Sequence, residues 1–304
     1  MLTYNNWYQW QWRLGGDSPL NVYDSWIFTP KFEQITPMSF KESVQDALIK
    51  IKALNKPLYL FYSGGLDSEI ILKEAINMDI DIIPVTIRFN DDLNKNDMEY
   101  VYKFQERYGI DVVFLDLDLD KWHRDSYYYS YRYLVNKYKF VHYATPLNFW
   151  ARRKVEEMFG DCVTITGTGD MPLAFLPSKA DVLKYQWLVA VAYDSQYKRL
   201  QWYGEHYPDD VPLFFVYTPE LVKSFMCEPE IKHCVTHNSY KLSVGSSRKA
   251  LYSRNWPELE VRTKYTGFES FIPDEDYCFT ICPTNQASSY CFMDYNEYFR
   301  LFRN

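Results

Sequence analysis

An α/β protein built on a parallel sheet is what this sequence predicts, and three observations carry the prediction. Apolar strands alternate with amphipathic helices from Leu58 to Thr166. The first of those strands breaks into Ser63-Gly64-Gly65 and opens a helix, and the last runs into Gly167-Thr168-Gly169-Asp170. Helical crossovers between strands imply parallel pairing with right-handed connections, which puts ligand-binding loops at the carboxyl ends of the strands.

The elements follow in order. Residues 1–36 carry Trp7, Trp10, Trp12, a Gly15-Gly16-Asp17 turn signal and the apolar run Val22 to Phe28, the pattern of a small β cap. Ser39-x-x-Glu42 is a capping box, and Val44, Ala47, Leu48 and Ile51 continue at helical spacing. Leu58 to Tyr62 is a buried strand, and Ile70, Ile71, Leu72 and Ala75 belong to the helix that follows. Ile80 to Ile87 is a second strand. Met98 to Tyr108 is a helix ending at Gly109, Val112 to Leu119 a third strand, Pro146 to Phe159 a helix and Cys162 to Thr166 a fourth strand. Residues 37–180 thus form the core. Residues 181–304 are expected to be a mainly helical lobe, beginning with a helix over Asp181 to Ala192, and the Cys-, Pro- and Tyr-rich end is left unassigned.

Composition narrows the function. The 304 residues are 47% apolar, ample for a packed core, and the formal charge of −7 argues against broad binding to nucleic acid or anionic membranes. No apolar stretch is long enough to span a bilayer and no secretory leader is evident, so a cytoplasmic location is expected. Six cysteines do not make a disulfide framework. Cys227, His233, Cys234 and His237 cluster in sequence, but their spacing matches no common zinc site. Aromatic residues reach 19%, and the densest run, Tyr127 to Tyr143 with interleaved Arg132, Lys137 and Lys139, has the ingredients to stack single-stranded bases or simply to pack on a sheet.

The Ser63–Ser68 loop has the chemistry of an anion cradle. Glycines let the backbone close around an oxyanion, while the first amides of the helix and their dipole favour negative charge. Ser63 and Ser68 add hydroxyl donors, and Asp67 can hold the divalent cation a polyphosphate brings. No lysine stands in the loop, so it is not a Walker motif. A second glycine turn at Thr166-Gly167-Thr168-Gly169-Asp170 would enclose a phosphate chain from the other side, with Asp170 and Asp67 sharing magnesium.

Ser63-Gly64-Gly65-Leu66-Asp67-Ser68 resembles the PP-loop of the ATP pyrophosphatases, and the order of features over residues 36–268 is similar to the synthetase domain of asparagine synthetases and β-lactam synthetase. The resemblance implies a nucleotide α-hydrolase-like fold that binds ATP and Mg2+ and cleaves ATP between the α and β phosphates. It implies nucleotide contacts from Tyr62, Ser63, Gly64, Gly65, Asp67, Ser68, Ile87, Thr166, Gly167 and Asp170, with Asp67 and Asp170 as metal ligands. Arg262-Thr263-Lys264-Tyr-Thr-Gly-Phe268 looks like the family's late Arg-x-Lys segment, which makes Lys264, Asp67 and Arg262 the candidate catalytic residues. Pro219-Glu220-Leu221-Val222 looks like the tail of its Pro-Phe-Leu-Asp-x-x-Leu-Val segment.

The sequence departs from that family in the acceptor half. Leu2 stands where a glutaminase cysteine would be, so ammonia or an amine is expected from elsewhere. Thr168 and Met171 replace acidic residues, leaving Tyr217, Glu220 and Glu69 as candidate bases, and Thr218 replaces the aspartate of the acceptor segment. The expected activity is adenylation of a carboxylate or carbonyl substrate followed by C–N bond formation. Nucleobase or tRNA modification, by amidation or thiolation, and a non-catalytic nucleotide-binding module are the alternatives.

Overall fold

The computed structural model describes residues 2–4, 8–13, 25–30, 35–36, 38–122, 145–168, 173–178, 181–189, 196–236, 244–260, 262 and 289–294. Three strands open the chain: β1 (Leu2–Tyr4), β2 (Tyr8–Arg13) and β3 (Ser25–Pro30), joined as antiparallel neighbours. Helix α1 (Phe40–Lys52) starts in the expected capping box, with the Ser39 hydroxyl accepting from the Glu42 amide and the Glu42 carboxylate accepting from the Ser39 amide.

The core alternates as the sequence predicts: β4 (Leu58–Phe61), α2 (Leu66–Asn77), β5 (Ile83–Phe89), α3 (Lys95–Tyr108), β6 (Val113–Leu117), α4 (Thr145–Phe159) and β7 (Val163–Thr166). The four strands form one parallel sheet in the order β6-β5-β4-β7. Val211 extends it as a fifth parallel position beside β7, donating from its amide to Thr164 O at 2.8 Å and accepting from the Thr166 amide at 2.9 Å.

The period-2 alternation of the strands sorts their side chains between two cores. Leu58, Leu60 and Ile165 pack with Val44, Leu48, Ile70, Ile71 and Val101 of α1, α2 and α3. Tyr59, Val85 and Leu115 point the other way, against Ala151 and Val155 of α4. The chain winds from β4 toward β6 with its crossover helices on one face and returns to β7 with α4 on the opposite face, as right-handed crossovers require. The winding direction therefore reverses between β4 and β7, and the crevice at the carboxyl ends of these strands is the topological switch point. Residues 62–68 and 166–168 lie there.

Beyond the core come β8 (Leu173–Ser178), β9 (Asp181–Val189), α5 (Gln196–His206), α6 (Pro219–Cys227), α7 (Pro229–Thr236), α8 (Val244–Asn255) and β10 (Ser289–Asp294). A second, six-stranded sheet has the order β1-β2-β3-β10-β9-β8, with β10 parallel to β3 and antiparallel to β9. The helix expected over Asp181 to Ala192 is a correction: Asp181–Val189 is a strand. Leu183, Tyr185, Trp187 and Val189 alternate, and aromatic and β-branched residues favour a pleated surface once partner strands exist. Tyr127 to Tyr143 lies outside the described residues. Among the described residues, no helix is long and apolar enough to cross a membrane.

Candidate active site

The first loop is locked to the sheet before it turns. Tyr62 donates from its amide to Val85 O at 2.8 Å, and the Thr86 hydroxyl donates to Tyr62 O at 2.6 Å. Gly64 then adopts φ +68°, and a Cβ there would stand 2.4 Å from Asp97 O at the start of α3. The left-handed backbone favours glycine and the close approach to Asp97 O excludes any other residue. Gly65 is the N-cap of α2 and supplies no side-chain acceptor to its first turn. The starts of α1 and α6 are sealed, by Ser39 and by Thr218, whose hydroxyl accepts from the Leu221 amide at 3.2 Å, while α3, like α2, has no side-chain cap. A helix start without a side-chain cap, at a switch point, is set up to meet an anion with its amides.

The second loop presses directly on the first. A Cβ on Gly167 would stand 2.8 Å from Ser68 N and 2.9 Å from Ser68 Cα, so only glycine lets β7's end reach the first turn of α2. The two glycine turns expected from the sequence are thus in contact. Their hydroxyls are less available than expected. The Ser68 hydroxyl donates back to Gly65 O at 2.9 Å. Thr166 donates to Pro212 O, Thr168 donates to the same carbonyl at 2.9 Å, and Phe215 donates from its amide to Thr168 O at 3.2 Å.

Two residues from the far end of the chain touch the first loop. Tyr252 on α8 donates its phenol to Oδ1 of the half-buried Asp67 carboxylate at 2.8 Å. Arg262 donates from Nε and Nη2 to Gly64 O, at 3.0 and 2.5 Å, and from Nη2 to the Glu69 carboxylate. Its guanidinium lies 4.1 Å over the Tyr100 ring, and the Arg262 and Glu69 side chains are only 6% and 10% exposed. Burial pushes the Glu69 carboxyl up, opposed by Arg262, Arg107 and the Tyr62 phenol. The Tyr62 phenol is itself pushed far up by burial and by the Glu69 charge beside it.

Other sequence-derived candidates fall as follows. The Ile87 carbonyl accepts from the Asn94 amide at 2.9 Å, while Asn94 Oδ1 accepts from the Phe89 amide at 3.1 Å, so a side-chain carboxamide already covers this strand end. Glu220 pairs with Lys50 at 3.1 Å, and burial holds the Tyr217 phenol protonated, which leaves neither as a ready base. Thr218 serves as the N-cap of α6, a role that an aspartate fills equally well. Cys227 is buried in the core while His233 on α7 is exposed, and no group of three metal-ligating side chains occurs among the described residues. Asp170, Lys264 and His237 lie outside the described residues. Sequence reasoning missed Tyr252, Tyr100 and Asn94. Nothing local marks Tyr252, which reaches the loop across 185 residues.

No protein-family model matches the sequence, and no curated protein matches it. Among solved structures, NMN synthetase from Francisella tularensis is similar, with 12% identity over 75% of this chain and 99% of that one and a TM-score of 0.34. A likeness with so low a TM-score decides nothing about function, and the α/β architecture stands on the strand order itself.

Proposed function

We propose that the chain is an ATP-dependent ligase of the PP-loop class that adenylates a carboxylate or carbonyl group, releases pyrophosphate and lets ammonia or an amine displace AMP. One observation carries the reading: two glycine turns, following adjacent parallel strands at a switch point, meet at a helix start with no side-chain cap. The amides of Leu66, Asp67 and Ser68 and the α2 dipole would bind the phosphate chain. Asp67, whose carboxylate the Tyr252 phenol steadies, would hold Mg2+, with Asp170 as the second ligand the sequence offers. Bound there, the cation would neutralise charge on the departing pyrophosphate.

The protein's part is placement. An uncapped helix start stabilises charge building on the phosphates without reorganising. Lys264, two residues beyond Arg262, is the candidate to neutralise the α-phosphate, and loss of such a donor costs about 3 kcal/mol of barrier. The acceptor and the nitrogen donor are to be found by assay.

The test is pyrophosphate release from Mg2+-ATP with ammonia across a panel of small carboxylic acids, nucleobases and tRNA. Asp67→Ala and Ser63→Ala are expected to abolish release, and Lys264→Ala to reduce it by about 100-fold or more. Full release in the Asp67 and Ser63 variants would remove the loop from the chemistry. Tight ATP binding with no release under any condition would favour the non-catalytic module instead.

A further inference from the structure

The geometry points to a latch: the Arg262–Glu69 pair is a positioning device that sets the Gly64–Gly65 peptide so that its amide faces the phosphate chain, an inference that rests on the ATP-binding reading above. Its basis is peptide planarity. In a trans peptide the carbonyl of one residue and the amide of the next point in opposite directions. Drawing Gly64 O toward Arg262 therefore turns the Gly65 N–H away from Arg262.

Nothing in the loop itself would hold that orientation. The two residues flanking this peptide are glycines, for which rotating the peptide plane meets no Cβ, so the flipped arrangement is open to the free loop. Arg262 blocks the flip with two hydrogen bonds to one carbonyl. The arginine is held in turn by three contacts. The Glu69 carboxylate accepts from Nη2, Glu260 O accepts from Nη1 at 3.1 Å, and the Tyr100 ring lies beneath the guanidinium. Glu69 sits one turn along α2 from the loop, buried, so the latch spans loop and helix together. With the Arg262 side chain 6% exposed, it acts through the backbone rather than by touching a substrate. The groups facing Glu69 are Arg262, Arg107 and the Tyr62 phenol.

The experiment uses the full chain and the variants Arg262→Gln, Arg262→Lys and Glu69→Gln. Amide hydrogen exchange is read without nucleotide on a peptide spanning residues 61–68, with a peptide from α4 as the internal reference, and Mg2+-ATP affinity is read by calorimetry. Arg262→Gln is expected to speed exchange in the loop peptide and to weaken ATP binding, each by about tenfold, with the α4 peptide unchanged. Arg262→Lys, which keeps a donor for Gly64 O, should recover part of both effects. Glu69→Gln should show about a threefold change in each, because the arginine then keeps the carbonyl but loses its charged partner. If Arg262→Gln does not fold, Glu69→Gln carries the same two readings.

Loop exchange unchanged in the folded variants overturns the latch, and so does Arg262→Lys behaving no better than Arg262→Gln. A wild-type chain that binds no ATP overturns the proposed function, while the exchange data still decide the latch.

Discussion

Among the described residues two arginine–carboxylate pairs are sealed from water, and they differ in what they hold. Arg152 and Asp210 are 4% and 1% exposed and join regular structure: Asp210 accepts from Arg152 Nε at 2.5 Å, from the Thr164 hydroxyl at 2.6 Å and from the Thr164 amide at 2.9 Å. They fasten α4 and the Val211 segment to β7. Arg262 and Glu69 instead hold a glycine carbonyl in a loop that no ladder of hydrogen bonds supports. The first pair closes a sheet whose pattern is already set by its strands. The second supplies an order that the loop's own sequence withholds, and removing it should be felt in ligand binding before it is felt in stability.

The largest expected effect breaks the comparison if it fails. Asp210→Ala strands a buried guanidinium, two Thr164 donors included, and should cost about 3 to 5 kcal/mol in urea unfolding. Glu69→Ala leaves Arg262 its Gly64 and Glu260 acceptors and should cost about 1 to 3 kcal/mol. Equal losses would make the two pairs equivalent structural fasteners.

The next effect separates backbone strain from crowding. Gly64 and Gly109 both have left-handed backbones, at φ +68° and +65°, but a Cβ on Gly109 meets nothing within 4 Å. Gly109→Ala should therefore cost about 1 kcal/mol, the conformational penalty alone. Gly64→Ala adds a collision with Asp97 O and should cost about 3 kcal/mol or more, together with loss of ATP affinity. Thermal melts of the two variants give the difference directly.

The parallel core was legible in the sequence because it depends on local signals. The Ser39 capping box, the buried strands β4 and β7 and the Gly109 terminator each announce themselves within a few residues, and each is found where expected. The second sheet was not. Its β9 pairs with β8 nearby but also with β10, about a hundred residues on, and without those partners the run from Asp181 reads as an apolar helix. The site divides in the same way. Gly64 and Gly167 declare themselves by type, and the structure adds the close approaches that require them. Arg262 was marked only by the resemblance of its Arg-x-Lys segment and Tyr252 by nothing, and they reach the loop from 198 and 185 residues away, a distance that no spacing rule encodes.

A smaller effect is a dependence on pH. Burial raises the Glu69 carboxyl above its ordinary value of 4.5, against the pull of Arg262, Arg107 and Tyr62. For an acid whose folded pKa is raised, stability is greatest below the unfolded value and is lost as pH rises through the folded one. The wild type should therefore lose stability relative to Glu69→Gln as pH climbs from about 4.5 toward neutrality. Unfolding free energies of the pair at several pH values give the slope. A slope of the opposite sign would mean that the arginine outweighs burial here, whereas at Asp210 burial pushes the carboxyl up despite Arg152.

The smallest expected change sharpens where the comparison stops. Tyr252→Phe removes one hydroxyl and keeps the ring, which packs on Phe40, Phe215 and Trp256, so the core contact survives. What is lost is the 2.8 Å hydrogen bond to Asp67, worth about 1 kcal/mol or less to folding at a half-buried carboxylate. The consequence for binding has the opposite origin from that of the latch. Arg262 orders backbone, whereas the phenol steadies one side chain and occupies an oxygen that a cation would otherwise share. Without it, Asp67 Oδ1 loses its phenol donor, so Mg2+ dependence should shift while ATP affinity at saturating Mg2+ changes by no more than about threefold. Titrating Mg2+ at fixed ATP in the wild type and Tyr252→Phe reads that shift, and identical curves would take Asp67 out of the metal site.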